Sequence, residues 1–230
     1  MNYLRTGILI IISSLLIAFC VAAYANVSRV PSMLERAESM TVLITNVGMT
    51  GMGAGTGVLL DSTHVLTCFH MAETEKDDFM VYTHPLGRVV EAHIEGGNKL
   101  NDLLILVLDS SVPVQNIPVF QEKVEIGEPI TAIGNALGGM QWFVTKGIIS
   151  GQSQGFLLTD ALINPGNSGG PWVNDKGEIV ALTDWGIGPI PHIPGMAGGI
   201  SGKNIVILLN AWRQQDEVQA LIKAMAEGGK

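Results

Sequence analysis

Short apolar runs separated by turn residues fill the chain from residue 40 to residue 208. The runs are rich in Val, Ile, Leu and Thr, and Gly, Pro, Asn and Asp lie between them. Such segments are typical of β-strands joined by tight turns. The predicted strands are Thr41–Thr45, Val58–Leu60, His64–Thr67, Met80–Thr83, Val89–Ile94, Leu103–Leu108, Ile130–Ile133, Trp142–Ile149, Gly155–Leu158, Pro171–Val173, Ile179–Thr183 and Ile205–Leu208.

The predicted strands fall into two sets, at about 40–110 and 128–208. The stretch Asp109–Gly127, which contains Pro113 and Pro118, connects them. Each set has the size of a six-stranded barrel, which indicates an all-β double barrel or sandwich. No alternation of helices and strands supports a parallel sheet.

Helical signals lie at the edges of this region. Residues 26–39 are predicted to be a connector with one helical turn around Met33–Arg36, and residues 185–202 a loop rich in Gly and Pro. Asn210 is a predicted N-cap. Apolar residues then recur at helical spacing, which predicts a C-terminal helix over 209–230 that packs on the domain. These residues are Val218, Leu221, Ile222 and Met225.

An apolar segment opens the chain. Arg5 precedes the run Gly7–Ala25, which contains no charged residue, and a helix rising about 1.5 Å per residue over this run can cross a bilayer core. Ala23-Tyr24-Ala25 fits the pattern of a signal-peptide cleavage site. Residues 1–25 are therefore predicted to be a signal peptide or a retained membrane anchor. The folded part is expected in the periplasm or outside the cell.

The composition and motifs argue against several classes of function. The net charge is −8 and no basic patch is visible, so nucleic acid is not an expected partner. Of the two cysteines, Cys20 lies in the apolar segment, so Cys68 has no disulfide partner in the folded region. No paired His, Cys or Asp spacing marks a metal site. No glycine run fits a nucleotide-binding motif, so neither a metal nor a cofactor is expected.

The turn Asn164–Pro171 offers a nucleophile. It reads Asn-Pro-Gly-Asn-Ser-Gly-Gly-Pro and holds Ser168 among small, turn-forming residues. Glycines let the backbone approach a ligand closely, and the amides of such a turn can face the anion that forms during acyl transfer. The alternative is an ordinary glycine-rich turn. The nucleophile hypothesis therefore requires a base and an orienting acid elsewhere in the chain.

His70 and Asp102 are the candidates for base and acid. His70 follows a predicted strand, and Asp102 begins the apolar run of the strand Leu103–Leu108. A carboxylate at the edge of a core needs a hydrogen-bond partner, which an imidazole N–H can supply. The alternatives are a structural histidine bonded to backbone and a carboxylate that caps a loop. The remaining histidines are less suitably placed: His64, His84, His93 and His192.

The order His70, Asp102, Ser168 resembles the triad of the chymotrypsin-fold serine peptidases, in particular the bacterial HtrA/Deg group. The segment Thr159–Pro171 is similar to that group's signature T-D-A-x-I-N-P-G-N-S-G-G-P almost throughout. The resemblance covers about residues 40–208. Shorter matching segments are Gly55–Val58 (glycine-rich strand), Thr67–His70 (T-x-x-H) and Asp102–Leu106 (D-L-A-[VL]-L).

The resemblance implies two six-stranded antiparallel β-barrels, over about 40–110 and 128–208. It implies a serine endopeptidase without a cofactor that acts on protein or peptide substrates in exported protein quality control or processing. Ser168 would attack the carbonyl, His70 would remove its proton, and Asp102 would orient the imidazole. The amides of Gly166 and Ser168 would form the oxyanion hole, with Asn167 as a further donor.

Pocket residues also follow from the resemblance. Leu162, six residues before the nucleophile, would be an apolar pocket floor and favour an uncharged residue before the cut. Trp185 and Gly186 would line the same pocket. Asn167 stands where zymogen-type relatives carry an aspartate, so activation by insertion of a new N-terminus is not expected. Asp160 is expected to shape its loop.

Three departures from the family pattern limit the expectations. The sequence continues for only one predicted helix beyond the resemblance, so no PDZ domain is expected. Cys68-Phe69 replaces the usual pair of small polar residues before the histidine. Trp185-Gly186 after Thr183-Asp184 is closer to the Ser-Trp-Gly segment of the wider chymotrypsin group. Regulation by peptides and the family's assembly into oligomers are therefore open. The main alternative function is a catalytically silent, chaperone-like binding protein on the same fold.

Overall fold

Two sets of six β-strands and two α-helices account for most of the described chain. The computed structural model describes residues 31–47, 53–72, 77–83, 87–136, 142–153, 155–184 and 195–227. The elements are α1 (Met33–Ser39), β1 (Thr41–Asn46), β2 (Ala54–Leu59), β3 (His64–Cys68), β4 (Asp78–Thr83), β5 (Val89–Asn98), β6 (Leu103–Leu108), β7 (Pro129–Gly134), β8 (Phe143–Ser153), β9 (Phe156–Thr159), β10 (Pro171–Val173), β11 (Ile179–Asp184), β12 (Ala197–Ser201) and α2 (Gly202–Glu227).

Each set of strands closes into an antiparallel barrel. The first barrel has the order β1-β2-β3-β6-β5-β4, and the second has the order β10-β11-β12-β9-β8-β7. Closure leaves neither sheet with an exposed edge that could pair with another chain. The prediction of an all-β fold with two six-stranded barrels and a C-terminal helix is confirmed.

The buried core explains why these strands close. In β6 the sequence Leu-Leu-Ile-Leu-Val-Leu is buried at every position except Val107, which is half-buried. In the second barrel all six residues of β11 are buried, and Trp172 of β10 has no exposed surface. Each fully buried large apolar side chain stabilises the fold by about 1.5–3 kcal/mol. The apolar runs therefore fix which strands lie at the centre.

The C-terminal end of the second barrel differs from the prediction. The predicted strand Ile205–Leu208 is wrong, because these residues lie inside α2, which begins at Gly202. Ser201 Oγ accepts a hydrogen bond from the amide of Asn204 (3.4 Å), so Asn210 is not the N-cap. An apolar run of this length is compatible with either a strand or a buried helix. The first turns of α2 pack on the barrel cores through Ile205 and Leu209.

The twelfth strand comes from the segment predicted to be a loop. β12 pairs with β9 on one side and β11 on the other, and so closes the second barrel. Its sequence, Ala-Gly-Gly-Ile-Ser, contains two glycines, which are depleted in strands and mask the apolar pattern. The helical turn predicted around Met33–Arg36 is the longer helix α1.

The predicted signal peptide or anchor, residues 1–25, lies outside the described residues. Within the part of the chain that the structure describes, no helix combines the length and apolar character needed to cross a membrane.

Candidate active site

His70 and Asp102 form a closed pair at one end of the first barrel. His70 lies in a short 3₁₀ turn, Phe69–Met71, directly after β3, and Asp102 directly precedes β6, the neighbour of β3. The imidazole Nδ1 donates to Asp102 Oδ2 (2.6 Å), and the backbone amide of His70 donates to Asp102 Oδ1 (2.7 Å). Both carboxylate oxygens therefore hold the same residue, which fixes the ring orientation and its tautomer.

Asp102 adopts a backbone conformation that most side chains avoid. Its φ of 51° makes it the one non-glycine residue with positive φ in the described chain. This conformation costs about 1–2 kcal/mol for most residues, and Asp and Asn tolerate it best. The carboxylate is 4% exposed, and its two hydrogen bonds to His70 offset the cost of burying it. The local geometry is therefore built around this pair.

The electrostatics of the pair favour the charged imidazole. Burial lowers the pKa of His70, but the hydrogen bond and charge of Asp102, together with the charge of Asp184, raise it by more. The net effect is a pKa above the ordinary value of 6.5. A histidine in this state accepts a proton more readily than a free imidazole, as a general base must.

The Ser168 turn is docked against the first barrel. The Ser168 carbonyl accepts from the amide of Thr56 in β2 (2.8 Å), and Thr56 Oγ1 donates to the Gly166 carbonyl (2.7 Å). A Cβ added at Gly55 would lie 3.2 Å from the Ser168 carbonyl and 2.6 Å from the sulfur of Met71, the residue after His70. The serine turn and the histidine turn thus both approach the same glycine.

The second barrel supplies further backbone hydrogen bonds to the Ser168 turn. The amide of Gly169 donates to the Thr183 carbonyl (2.9 Å), and the amide of Thr183 donates to the Gly170 carbonyl (2.8 Å). Gly169 has φ +81°, and an added Cβ would clash with the Thr56 carbonyl and Thr67 Oγ1. Glycine is required here for both conformation and space.

Two amides of the turn are available to a ligand. Among the described residues, the amides of Gly166 and Ser168 donate no hydrogen bond, whereas the Asn167 amide donates to the Asn164 carbonyl (3.1 Å). Two backbone N–H groups on a serine turn can stabilise an oxyanion. The predicted donors Gly166 and Ser168 thus have amides that make no bond among the described residues, whereas the amide of Asn167, the further predicted donor, bonds within the turn itself. The Asn167 side chain is buried against Gly134.

The Ser168 hydroxyl has no hydrogen-bond partner among the described residues. The residue is 7% exposed. Hydrogen bonds between nucleophile and base are commonly loose without substrate and tighten in the Michaelis complex. The structure therefore brings the Ser168 backbone to the His70 turn and leaves the hydroxyl uncommitted.

A small cavity of about 170 Å³ lies beside the turn. Leu162, 65% exposed, contributes to its lining, and Thr145 Oγ1 holds the Leu162 carbonyl in place (2.9 Å). The lining is mostly apolar, which suits an uncharged side chain. The lining residues are Asp160, Ala161, Leu162, Ile163, Gly195, Met196 and Ala197.

Asp160 has a structural contact in this loop. Its Oδ1 accepts from the amide of Ile148 in β8 (2.8 Å), which ties the pocket segment to the barrel wall. This contact agrees with a loop-shaping role. The predicted pocket residues Trp185 and Gly186 lie outside the described residues, as do His84 and His192.

Cys68, His70 and Asp102 have ligand atoms within 4.8 Å of one another. Burial raises the pKa of the Cys68 thiol well above its ordinary value, and the charges of Asp102 and Asp184 raise it further. Metals bind the thiolate, and His70 Nδ1 already donates to Asp102. The thiol instead donates to the Thr183 carbonyl (3.1 Å) and joins the two barrels. The cluster is thus a hydrogen-bonded part of the site.

The other described histidines belong to separate clusters. His64 Nδ1 contacts Asp61 (2.8 Å) and its Nε2 contacts Glu95 (3.2 Å). His93 lies between Asp78 and Asp109 on the surface, at 2.8 and 3.1 Å. Neither cluster includes a serine turn.

Sequence reasoning missed two residues of the site, Thr56 and Asp184. The signal for Asp184 was present, because it is an acidic residue that ends a buried strand, as Asp102 is one that begins a buried strand. Thr56 carries no comparable signal, since its role depends on contacts with residues more than 75 positions away along the chain, Asn135 and Gly166.

Comparisons with known proteins identify related chains. The family model described as "Trypsin-like peptidase domain" matches residues 55–182. The serine endoprotease DegS of Escherichia coli is 36% identical over 139 residues, which cover 56% of this chain and 38% of the relative. The serine protease Do-like HtrB of Bacillus subtilis is 32% identical over 202 residues, covering 71% of this chain and 43% of the relative.

A third relative carries a location in its name. The probable periplasmic serine endoprotease DegP-like of Pseudomonas putida is 33% identical over 141 residues, covering 56% of this chain and 28% of the relative. The chain spans less than half the length of each of these three relatives.

Proposed function

Because the chain belongs to the family of trypsin-like peptidase domains, and so to the serine-type hydrolases, we propose that it is a serine endopeptidase. Ser168 is the nucleophile, His70 the general base and Asp102 the residue that orients the imidazole. The observation that carries this proposal is the His70–Asp102 pair, bonded twice at 2.6 and 2.7 Å, beside a serine turn with two available amides.

The reaction follows from these groups. His70 Nδ1 donates to Asp102, so Nε2 is left to accept the proton of Ser168 as Oγ attacks the substrate carbonyl. The negative charge then develops on the carbonyl oxygen, where the amides of Gly166 and Ser168 stabilise it. The imidazolium next protonates the leaving amine. Water, activated by the same imidazole, hydrolyses the acyl-enzyme.

The apolar cavity is proposed to receive the side chain before the cut. Leu162 forms its floor and, by family resemblance, Trp185 and Gly186 line it. The described part of its lining is apolar except for Asp160, whose Oδ1 accepts from the backbone amide of Ile148. We therefore expect cleavage after aliphatic or other uncharged residues. A peptide-library assay that shows preferred cleavage after Lys or Arg would contradict this assignment.

Export is part of the proposal. Residues 1–25 serve as a signal peptide or an anchor, and a relative described as periplasmic supports an exported location. The substrates are then unfolded or misfolded proteins or peptides of that compartment. Mass determination of the N-terminus in exported protein distinguishes cleavage at Ala25 from retention.

Replacement of Ser168 with Ala tests the central claim. We expect it to reduce casein hydrolysis to background and to abolish labelling by a serine-directed phosphonate, because both require the Oγ nucleophile. The matched control is Ser201→Ala, a serine of the same barrel that caps α2. Equal labelling of wild type and Ser168→Ala would overturn the proposal. Absence of turnover and labelling in the wild type would favour a binding protein on this fold.

A further inference from the structure

The hydroxyl of Thr56 bonds to the peptide group that lies between the two available amides of the serine turn. Thr56 is a fully buried residue of β2, and its Oγ1 donates to the Gly166 carbonyl (2.7 Å). That carbonyl and the Asn167 amide form one peptide group, with the Gly166 amide before it along the chain and the Ser168 amide after it. The orientation of this peptide therefore affects the direction of both available amides.

Two hydrogen bonds hold the Gly166–Asn167 peptide in one orientation. In a planar trans peptide the carbonyl and the amide point in opposite directions. Here the carbonyl accepts from Thr56 Oγ1, and the amide donates to the Asn164 carbonyl within the turn (3.1 Å). Gly166 has φ +98°, and a glycine can change its backbone dihedrals at little steric cost. Of the two bonds, the one from Thr56 ties this adaptable point to a barrel.

The Thr56 hydroxyl is itself held by the strands around it. A hydroxyl can accept as well as donate, and Oγ1 accepts from the amide of Asn135 (2.9 Å), directly after β7 of the second barrel. The Thr56 carbonyl accepts from Oγ1 of Thr67 in β3 (2.8 Å). The Thr56 amide donates to the Ser168 carbonyl (2.8 Å). Both barrels therefore fix the side chain that holds the peptide.

We propose that Thr56 is a positioning residue whose hydroxyl keeps the Gly166–Asn167 peptide turned so that the amides of Gly166 and Ser168 face the substrate carbonyl oxygen. This inference rests on the proposed peptidase function. Donors that are already in place stabilise the developing negative charge without reorganisation during the reaction. Without the hydroxyl, the Gly166 carbonyl and the Asn135 amide lose their partner, which is costly for buried groups and favours rotation of the peptide towards other partners.

Replacing Thr56 with Val removes the hydroxyl and keeps a branched side chain of similar size. We expect kcat to fall about 10- to 100-fold, because the two donors are displaced rather than lost. KM should stay within about threefold, since the amides act on a charge that is present only in the transition state. Thr56→Ser keeps the hydroxyl and should retain kcat within about threefold of wild type. If Thr56→Val fails to fold, Thr56→Ala, which also lacks the hydroxyl, takes its place.

The matched control is Thr41→Val. Thr41 is another fully buried threonine of the first barrel, and its Oγ1 donates to the Ala37 carbonyl in α1 (2.7 Å). The substitution therefore removes the same kind of hydrogen bond outside the candidate site. Both Val variants should unfold at lower urea concentration than wild type, but kcat should fall only in Thr56→Val. A comparable fall in kcat in both would show general destabilisation and overturn the role of Thr56.

A second measurement reports on the oxyanion without turnover. A peptidyl trifluoromethyl ketone that ends in valine forms a hemiketal with Ser168 Oγ, and NMR of its isotope-labelled ketone carbon gives the pKa of the hemiketal hydroxyl. Donors that face the oxyanion lower this pKa. Thr56→Val should raise it by about 1–2 units, the equivalent of the expected fall in kcat, and Thr41→Val should leave it unchanged. The pKa of His70 in the free proteins should not differ between Thr56→Val and wild type, because both bonds from His70 to Asp102 are kept.

The inference and the proposed function can fail separately. An unchanged hemiketal pKa in Thr56→Val, beside wild-type hydrolysis, would overturn the role of Thr56 even if kcat falls, and would leave the peptidase function intact. Absence of both hydrolysis and hemiketal in the wild type would overturn the proposed function and this inference with it.

Discussion

The first barrel holds its part of the candidate site through side chains, whereas the second barrel holds Ser168 through backbone hydrogen bonds. The hydrogen bonds between His70 and Asp102 lie within one barrel. The Ser168 turn is held by the amide and hydroxyl of Thr56 in the first barrel and by the amide and carbonyl of Thr183 in the second. The orientation of His70 is therefore fixed within one barrel, whereas the position of the Ser168 turn depends on contacts with both.

Replacing Asp102 with Asn should have the largest effect on activity, because it changes the part of the candidate site that the first barrel holds. The asparagine tolerates the positive φ, but its amide group faces Nδ1 and favours the tautomer with the proton on Nε2, which cannot accept from Ser168. We expect kcat to fall about 10⁴-fold. Steady-state kinetics on a peptide substrate measure this loss.

The matched control for this variant is Asp61→Asn. Asp61 also bonds a histidine of the same barrel through the backbone amide (2.9 Å) and Nδ1 (2.8 Å). It lies at the other end of β3 from His70. Activity should stay within about two-fold of wild type, since no catalytic group changes its tautomer. A comparable loss in both variants would show that the Asp102 effect is general destabilisation.

Replacing Gly169 with Ala should disrupt the contact between the Ser168 turn and the first barrel. The new methyl group would clash with the Thr56 carbonyl, and φ is +81°. We expect a loss of about 3–5 kcal/mol in the free energy of unfolding and, in the folded fraction, at least about a tenfold fall in kcat. Urea unfolding and kinetics measure the two losses.

Gly127→Ala separates the clash from the backbone strain. Gly127 has φ +91° and open space around its Cβ position. Its replacement should cost only about 1–2 kcal/mol and leave kcat unchanged. Equal destabilisation by the two substitutions would mean that the close approach of Gly169 to Thr56 has no energetic role.

The smallest expected effect concerns His93, which has two carboxylate neighbours but lies on the surface. Its pKa is raised above 6.5 by the hydrogen bond from its Nδ1 to Asp78, with a further contribution from the charge of Asp109. Stability from these contacts is therefore present below pH 6.5 and is lost as the pH rises through the higher folded pKa. NMR titration should show this raised pKa, and Asp78→Asn should lower it. Salt should weaken the shift at His93 more than at buried His70; an equal salt response would contradict this comparison.

Much of the fold and the site could be predicted because local signals and global contacts agree. Asp102 precedes a wholly apolar strand and needs a hydrogen-bond partner. The glycines of the Ser168 turn indicate that its backbone lies close to other groups. β12 was missed because Gly198 and Gly199 remove its apolar alternation. Ile205–Leu208 was assigned to a strand because a short apolar run has no periodicity that separates a strand from a helix.

The contacts between the barrels could not be predicted from the sequence pattern. Thr56 donates to Gly166, accepts from the amide of Asn135 (2.9 Å) and bonds the Ser168 carbonyl through its own amide. Nothing in a single threonine between two glycines indicates that partners from two distant segments will meet there. Only the closed barrels bring them together.

The connection between β6 and β7, residues 109–128, also contributes to holding the two barrels together. It is bonded to both barrels, because the amide of Val112 donates to the Ser62 carbonyl and the amide of Gln121 donates to the Ile179 carbonyl, both at 2.8 Å. The hydrogen bonds of Thr56 and Cys68, the apolar cluster that includes residues of both barrels and this bonded connection therefore act together to hold the Ser168 turn against the first barrel.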